Sequence, residues 1–108
     1  MNSIRKNIKE ILDLISSKEE QIKYEKEVPI ANVPAELICT WFDDLYHPQS
    51  KLHQEAFSDD EQQILDSFNT FYESRVGELP ETLSEMHINL QWEEIIKEAQ
   101  RVLRSITF

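Results

Sequence analysis

The chain contains a single glycine, Gly77, among its 108 residues. Tight hairpin turns need residues with positive φ, and glycine is the residue that adopts this conformation most readily. A chain with so little glycine is poorly suited to a sheet of hairpins, whereas four prolines here separate stretches whose apolar residues recur at helical spacing. The sequence therefore predicts an all-α protein, with residues 1–108 forming one domain, a bundle of four or five helices.

The first 27 residues contain an amphipathic pattern interrupted by two serines. Apolar residues at helical spacing predict a first helix with one buried face: Ile4, Ile8, Ile11, Leu12 and Ile15. Ser17 and Glu20 have capping-box spacing, which favours a new helix through about Glu27. A single long helix over the whole segment is the alternative.

The stretch TWFDDLYHP, residues 40–48, places two carboxylates and a histidine among three large aromatic side chains. Pro34 suits the first turn of a helix that runs to about His47, and Pro48 ends it. On a helical wheel the core face carries Leu37, Ile38, Trp41, Phe42 and Leu45, while the opposite face carries Glu36, Thr40, Asp43, Tyr46 and His47. Asp44 lies at the boundary, and the pattern predicts a two-sided surface helix.

Three further helices are predicted in the second half of the chain. Residues 49–57 are compatible with either a loop or a short helical turn. A capping box at Ser58 begins a long helix, and Gly77 is expected to end it in a left-handed conformation. Residues 79–83 are predicted to begin a shorter helix with Pro80 in its first turn, and Asn89 is expected to cap the last one.

The formal net charge is −10, from 21 acidic and 11 basic residues. A negative field repels phosphate backbones and anionic lipid surfaces, so we expect neither nucleic acid nor a membrane as partner. Cys39 is the only cysteine, so no internal disulfide can form, and its apolar neighbours predict a buried thiol rather than a nucleophile. Residues 1–20 lack the apolar run of a signal peptide, which favours a cytoplasmic location.

The negative charge is concentrated in one part of the sequence. Residues 36–66 contain eight acidic residues against one basic residue, Lys51. If the segment after Pro48 folds back, the acidic residues before and after it form one patch with an aromatic border. The predicted partner-binding residues are Asp43, Asp44, Tyr46, His47, Asp59, Asp60 and Glu61, because carboxylates pair with Arg and Lys and tyrosine adds a large amphipathic contact.

Motifs for catalysis or metal binding are missing from the sequence. There is no HExxH, CxxC, Gly-rich phosphate loop or G-x-S-x-G elbow. Asp43 or Asp44 lies close to His47 at helical spacing, which leaves a metal-dependent enzyme as one alternative. The prediction is a protein that is not an enzyme and needs no cofactor.

The segment DLYHP, residues 44–48, resembles the D-L-I-Y-Y-P stretch of the nuclease-colicin immunity proteins, with one residue fewer and His47 in place of a tyrosine. Those proteins are small, acidic and helical, and they inhibit a basic toxin domain through acidic and tyrosine side chains. The resemblance implies that Asp44 and Tyr46 occupy contact positions. In size, charge and class the chain is also similar to immunity proteins of bacterial contact-dependent growth inhibition systems.

These observations predict an immunity-type inhibitor that neutralises a basic toxin domain, such as a nuclease, through an acidic, tyrosine-bordered surface. The alternative is a structural or regulatory helical protein that self-associates, for example as a homodimer, through apolar surface on its Ile-rich first helix.

Overall fold

A computed structural model of the chain describes residues 3–108, and within that range it contains helices and no strand. The seven α-helices are α1 (Ser3–Ile15), α2 (Lys18–Glu27), α3 (Val33–Cys39), α4 (Lys51–Ala56), α5 (Asp59–Val76), α6 (Leu83–Met86) and α7 (Leu90–Ser105). A π-helical stretch, Thr40–Leu45, continues directly from α3 and is called the π segment below. The all-α class is confirmed, but four or five helices was too few, because α1 and α2 are separate helices and the segment after Pro48 contains the short helix α4. Met1 and Asn2, part of the predicted 1–108 domain, lie outside the described residues.

Three predicted helix starts are confirmed at their caps. The Ser17 hydroxyl accepts a hydrogen bond from the Glu20 N–H at 3.2 Å, so α1 and α2 are separate helices. Ser58 forms the complete capping box of α5. The Asn89 side chain accepts from the Trp92 N–H at 3.0 Å at the start of α7. Each of these bonds joins residues three apart in the chain, which is why the local sequence predicts them.

Two other boundary predictions are wrong. Gly77 has φ −68°, so it provides no left-handed cap. The chain instead leaves α5 through tighter bonds, including Glu78 N–H to the Arg75 carbonyl at 3.1 Å. The short helix begins at Leu83 rather than within residues 79–82, because the Thr82 side chain caps it by accepting from Glu85 N–H.

The core is built around α7, which packs against both α1 and α5. The predicted stripe of α7 is confirmed, with Ile95, Ile96, Ala99 and Val102 buried. The isoleucines of α1 are buried too: Ile8, Ile11 and Ile15 are almost inaccessible to solvent. These isoleucines therefore pack inside this chain and are not the exposed apolar surface that was expected of α1, whereas self-association as such stays a prediction.

A buried glutamine links three parts of the fold. The Gln21 amide nitrogen donates to the carbonyls of Leu14 and Ile15, both at 2.9 Å. Its oxygen accepts from the Trp92 indole N–H at 3.2 Å and from His87 Nε2 at 2.8 Å. The end of α1, the body of α2 and the start of α7 are thereby held together.

Within residues 3–108, none of the helices combines the length and apolar character needed to cross a bilayer.

Candidate functional site

The π segment places the aromatic residues of TWFDDLYHP differently from an α-helix. The Tyr46 N–H donates to the Trp41 carbonyl at 2.9 Å, an i→i+5 bond in place of the usual i→i+4 bond. The wider turn rotates every later side chain relative to a wheel drawn at 100° per residue. Trp41 stays in the core, and Tyr46, which the wheel placed in solvent, joins it.

Tyr46 is only 6% exposed, so its predicted placement on the solvent face of the helix is wrong, while its role in partner binding stays a prediction. Its ring stacks on Trp41, with centroids 4.9 Å apart, and meets the edge of His53 at 5.4 Å. Its hydroxyl donates to Asp66 Oδ1 at 3.2 Å. Burial and then the charge of Asp66 raise the pKa of Tyr46 far above its usual value, so the hydroxyl keeps its proton at neutral pH.

Asp43, Asp44 and His47 are exposed, as predicted. His47 Nε2 lies 2.9 Å from the backbone carbonyl of Asp43 and bonds that oxygen rather than a carboxylate. A carbonyl only accepts, so Nε2 is the donor there. Asp44 faces a shallow depression that Glu36 and Cys39 also line.

Cys39 is exposed, which contradicts the prediction of a buried thiol, because α3 turns it away from the core. Desolvation and then the neighbouring carboxylates of Asp43 and Asp44 raise the pKa of the Cys39 thiol above its usual value. The thiolate is the nucleophilic form of cysteine, so these neighbours reduce its reactivity at neutral pH.

Of the predicted acidic residues at the start of α5, Asp59 and Asp60 are exposed, but Glu61 is engaged within the fold. Its carboxylate receives two hydrogen bonds from Arg5, at 2.9 and 3.2 Å, and a third from the Ser58 N–H at 2.9 Å. The Arg5 hydrogen bonds lower the pKa of Glu61, against an opposing effect of desolvation. These acceptor sites of Glu61 serve the α1–α5 contact and the helix cap, and its assignment as a partner-binding residue stays a prediction.

One cleft brings residues from before and after α4 together, but both of its carboxylates come from α5. The acidic cleft, about 410 Å³ in volume, lies between the end of the π segment and α5 and is lined by Tyr46, Pro48, Asp59, Gln62, Gln63 and Asp66. Of the predicted residues, it contains Tyr46 and Asp59, whereas Asp43, Asp44, His47 and Asp60 lie outside its lining. Its two carboxylates belong to Asp59 and Asp66, and no lysine or arginine is part of the lining.

Sequence reasoning missed Asp66. The signal was present, since positions 59, 62, 63 and 66 have i, i+3, i+4, i+7 spacing and are all polar. Such a stripe marks one face of a helix, opposite the apolar face that the sequence did identify. This polar spacing does not predict that Tyr46 lies beside Asp66, because that contact depends on the π segment.

No family model, no curated protein and no solved structure matches this chain. The immunity-protein resemblance therefore stays a prediction. In the described part of the chain, no group of three or more His, Cys, Asp or Glu side chains is arranged to hold a metal ion.

His53, on α4 beside the acidic cleft, predicts a pH dependence of stability. It is 1% exposed, and neither ring nitrogen has a hydrogen-bond partner among residues 3–108. Burial, and then the nearby His47, lower the pKa of His53 below its usual 6.5. As pH falls below about 6.5, His53 binds a proton more readily in the unfolded chain than in the folded chain. We therefore expect the free energy of unfolding to decrease over this range.

Urea unfolding at a series of pH values between neutral and mildly acidic would measure this dependence. In His53→Leu the loss of stability on acidification should be smaller than in the wild type, while His47→Gln, which removes only the lesser of the two causes, should leave most of it in place. The pKa of His87 is also lowered, so this histidine makes the free energy of unfolding decrease on acidification as well. Some dependence of stability on pH is therefore expected in every variant. Equal slopes in the wild type and His53→Leu would contradict the prediction.

Proposed function

We propose that this protein is an immunity-type inhibitor that binds a basic toxin domain, with the acidic cleft as the centre of its contact surface. The observation that carries the proposal is that Asp59 and Asp66 line the same cleft and that its lining contains no lysine or arginine. Two carboxylates on the same helix face are suited to pair with arginine or lysine side chains.

The carboxylates of the cleft retain free acceptor sites. Asp59 takes part in no ion pair among the described residues, and it is exposed. Asp66 accepts one hydrogen bond, from the Tyr46 hydroxyl at 3.2 Å, and is also exposed. Since each carboxylate accommodates about four hydrogen bonds, both remain able to accept a guanidinium or ammonium group.

The cleft is held rigidly. The capping box at Ser58 anchors the first turn of α5, next to Asp59. Gln62 donates to the Phe57 carbonyl at 2.9 Å, which ties α5 to the end of α4. The Tyr46 wall is held by stacking on Trp41. A preformed site loses less conformational entropy on binding, which favours affinity.

The other exposed acids serve recognition at longer range. Asp43, Asp44 and Asp60 lie outside the lining of the cleft but contribute to the local excess of negative charge in residues 36–66. Such a field accelerates the encounter with a positively charged partner and weakens as salt increases.

The first experiment is to identify the partner from the genes next to this one. We expect a neighbouring gene for a large secreted protein with a basic, toxic C-terminal domain, and co-expression of this chain should protect cells from that domain. Neighbours without a toxin-like gene, or a toxic domain against which the chain gives no protection, would refute the proposal.

The matched mutations test the cleft itself. Asp59→Asn with Asp66→Asn should weaken binding of the toxic domain about 10- to 100-fold, because two charge-assisted contacts are lost. The control, Glu78→Gln with Glu81→Gln, changes net charge equally at exposed positions outside the cleft and should weaken binding far less. Titration calorimetry at low and at high salt gives both affinities and their salt dependence. Equal losses of affinity in the two double variants would show that the acidic cleft is not part of the interface.

A further inference from the structure

A second cavity shares no lining residue with the acidic cleft. This apolar groove, about 270 Å³ in volume, runs between α1, α2 and the junction of α3 with the π segment. Its apolar lining comes from Ile11, Leu14 and Leu45. Leu14 and Leu45 are only partly buried, so this fold leaves apolar surface facing the groove.

Two carboxylates accompany these apolar residues. Glu36 accepts a hydrogen bond from the Tyr24 hydroxyl, which holds the carboxylate in place. That hydrogen bond raises the pKa of Tyr24, so the hydroxyl remains a donor at neutral pH. Glu10 lies 3.9 Å from the Lys6 ammonium, and both side chains are largely exposed. No lysine or arginine lines the groove.

Two further depressions that share lining residues with the groove add more carboxylates. A depression of about 520 Å³ shares Glu10 and Leu14 with it and adds Asp13 and Glu20. Lys9 pairs with Asp13 at 2.8 Å, whereas Glu20 is in no ion pair within residues 3–108. Another depression, of about 450 Å³, shares Tyr24 and Glu36 with the groove and adds Asp44. The groove and the two depressions thus share lining residues, and carboxylates line each of them.

We propose that the apolar groove docks an amphipathic basic segment of a partner protein. An apolar side chain of that segment packs on Leu14 and Leu45, and its Arg or Lys side chains pair with Glu10 and Glu36. Long basic side chains also suit the site because their alkyl stems pack on apolar surface while their charged ends reach carboxylates. The surface is separate from the acidic cleft, and the proposal does not depend on the function assigned to that cleft.

Charge and size together select this occupant. A second copy of this chain, with net charge −10, would bring like charges together at the carboxylates of the groove. A volume of about 270 Å³ lies just below the roughly 300–1,000 Å³ of drug-sized ligand sites, so it suits one or two side chains of a larger partner.

Methyl NMR titrations with three short synthetic peptides would test the proposal. The first is an amphipathic helix of leucine and arginine, the second replaces its arginines with glutamate, and the third contains arginine without leucine. We expect only the first to bind with saturable shifts of the Ile11, Leu14 and Leu45 methyl signals. Concentration-dependent shifts of these signals without any peptide would identify self-association instead and would overturn the proposal.

Charge-neutral variants distinguish the groove from general attraction to an acidic protein. The double variant Glu10→Gln with Glu36→Gln keeps an acceptor for the Tyr24 hydroxyl. It should weaken binding of the leucine–arginine peptide by about 10-fold or more, because two charge-assisted contacts are lost. The control, Glu73→Gln with Glu94→Gln, removes the same charge from exposed positions on α5 and α7. Equal weakening in both variants, absence of binding, or equally tight binding of the leucine-free peptide would refute a specific groove.

Discussion

Replacing Gln21 with leucine is expected to lower the free energy of unfolding by about 3 kcal/mol or more. Leucine is similar in size and apolar, so the change removes hydrogen bonds with little change in volume. It leaves the buried carbonyl of Ile15 without its amide donor at 2.9 Å and the buried indole N–H of Trp92 without its acceptor, and the Leu14 carbonyl keeps only a longer bond, from Ser17 N–H at 3.4 Å. Each buried polar group left unpaired costs about 1–3 kcal/mol, and the side chain that would pair with all of them is gone.

Urea denaturation followed by circular dichroism would measure the loss. The matched control is Gln100→Leu, since Gln100 is exposed and donates a single hydrogen bond, at 3.1 Å, to the Ser16 carbonyl near the same end of α1. That variant should stay within about 0.5 kcal/mol of the wild type. A Gln21→Leu protein as stable as Gln100→Leu would mean that Gln21 does not hold α1, α2 and α7 together.

Replacing Trp41 with alanine is expected to cost about 3–5 kcal/mol, the range for removing a large buried aromatic side chain. Trp41 is fully buried, with its ring stacked on Tyr46 and edge-on to Phe68 at 5.0 Å. Its indole N–H donates to Asn69 Oδ1 at 3.0 Å. The cavity would open against the face of the Tyr46 ring that stacks on Trp41.

The conservative change Trp41→Phe separates packing from hydrogen bonding. Phenylalanine retains most of the ring contact with Tyr46 but loses the hydrogen bond to Asn69. We therefore expect Trp41→Phe to lower the free energy of unfolding by about 1–2 kcal/mol, less than Trp41→Ala does. Chemical denaturation of both variants checks the order. The assigned ring NMR signals of Tyr46 should be broadened more by a soluble paramagnetic agent in Trp41→Ala than in Trp41→Phe; equal broadening would show that Trp41 does not hold the Tyr46 ring in place.

The parts of the fold that sequence reasoning predicted correctly depend on neighbours a few residues apart. The caps at Ser17, Ser58 and Asn89 are bonds across three residues, and the buried stripe of α7 follows from helical spacing. The features that sequence reasoning missed have other causes. Tyr46 moved into the core because one turn widened to i→i+5 bonding. Glu61 is engaged within the fold because Arg5, 56 positions away, reached it.

The candidate site divides in the same way. The acidic character of residues 36–66, and the exposure of Asp43, Asp44, Asp59 and Asp60, could be inferred from composition and helical periodicity. The acidic cleft could not, because it requires Pro48 and Asp59 to approach across the short helix α4. The same holds for the apolar groove, whose lining comes from α1, α2, α3 and the π segment.

The sequence by itself determined the all-α class, the starts of three helices, the excess of negative charge and the apolar faces of the long helices. These properties arise from local backbone bonding, side-chain periodicity and composition, which do not depend on distant contacts. Tertiary packing alone decided which acids remain free, which way Tyr46 faces and where the two cavities open. Those outcomes depend on contacts between residues far apart in the chain, such as Arg5 with Glu61 and Gln21 with Trp92, and on the cost of burying each polar group without a partner.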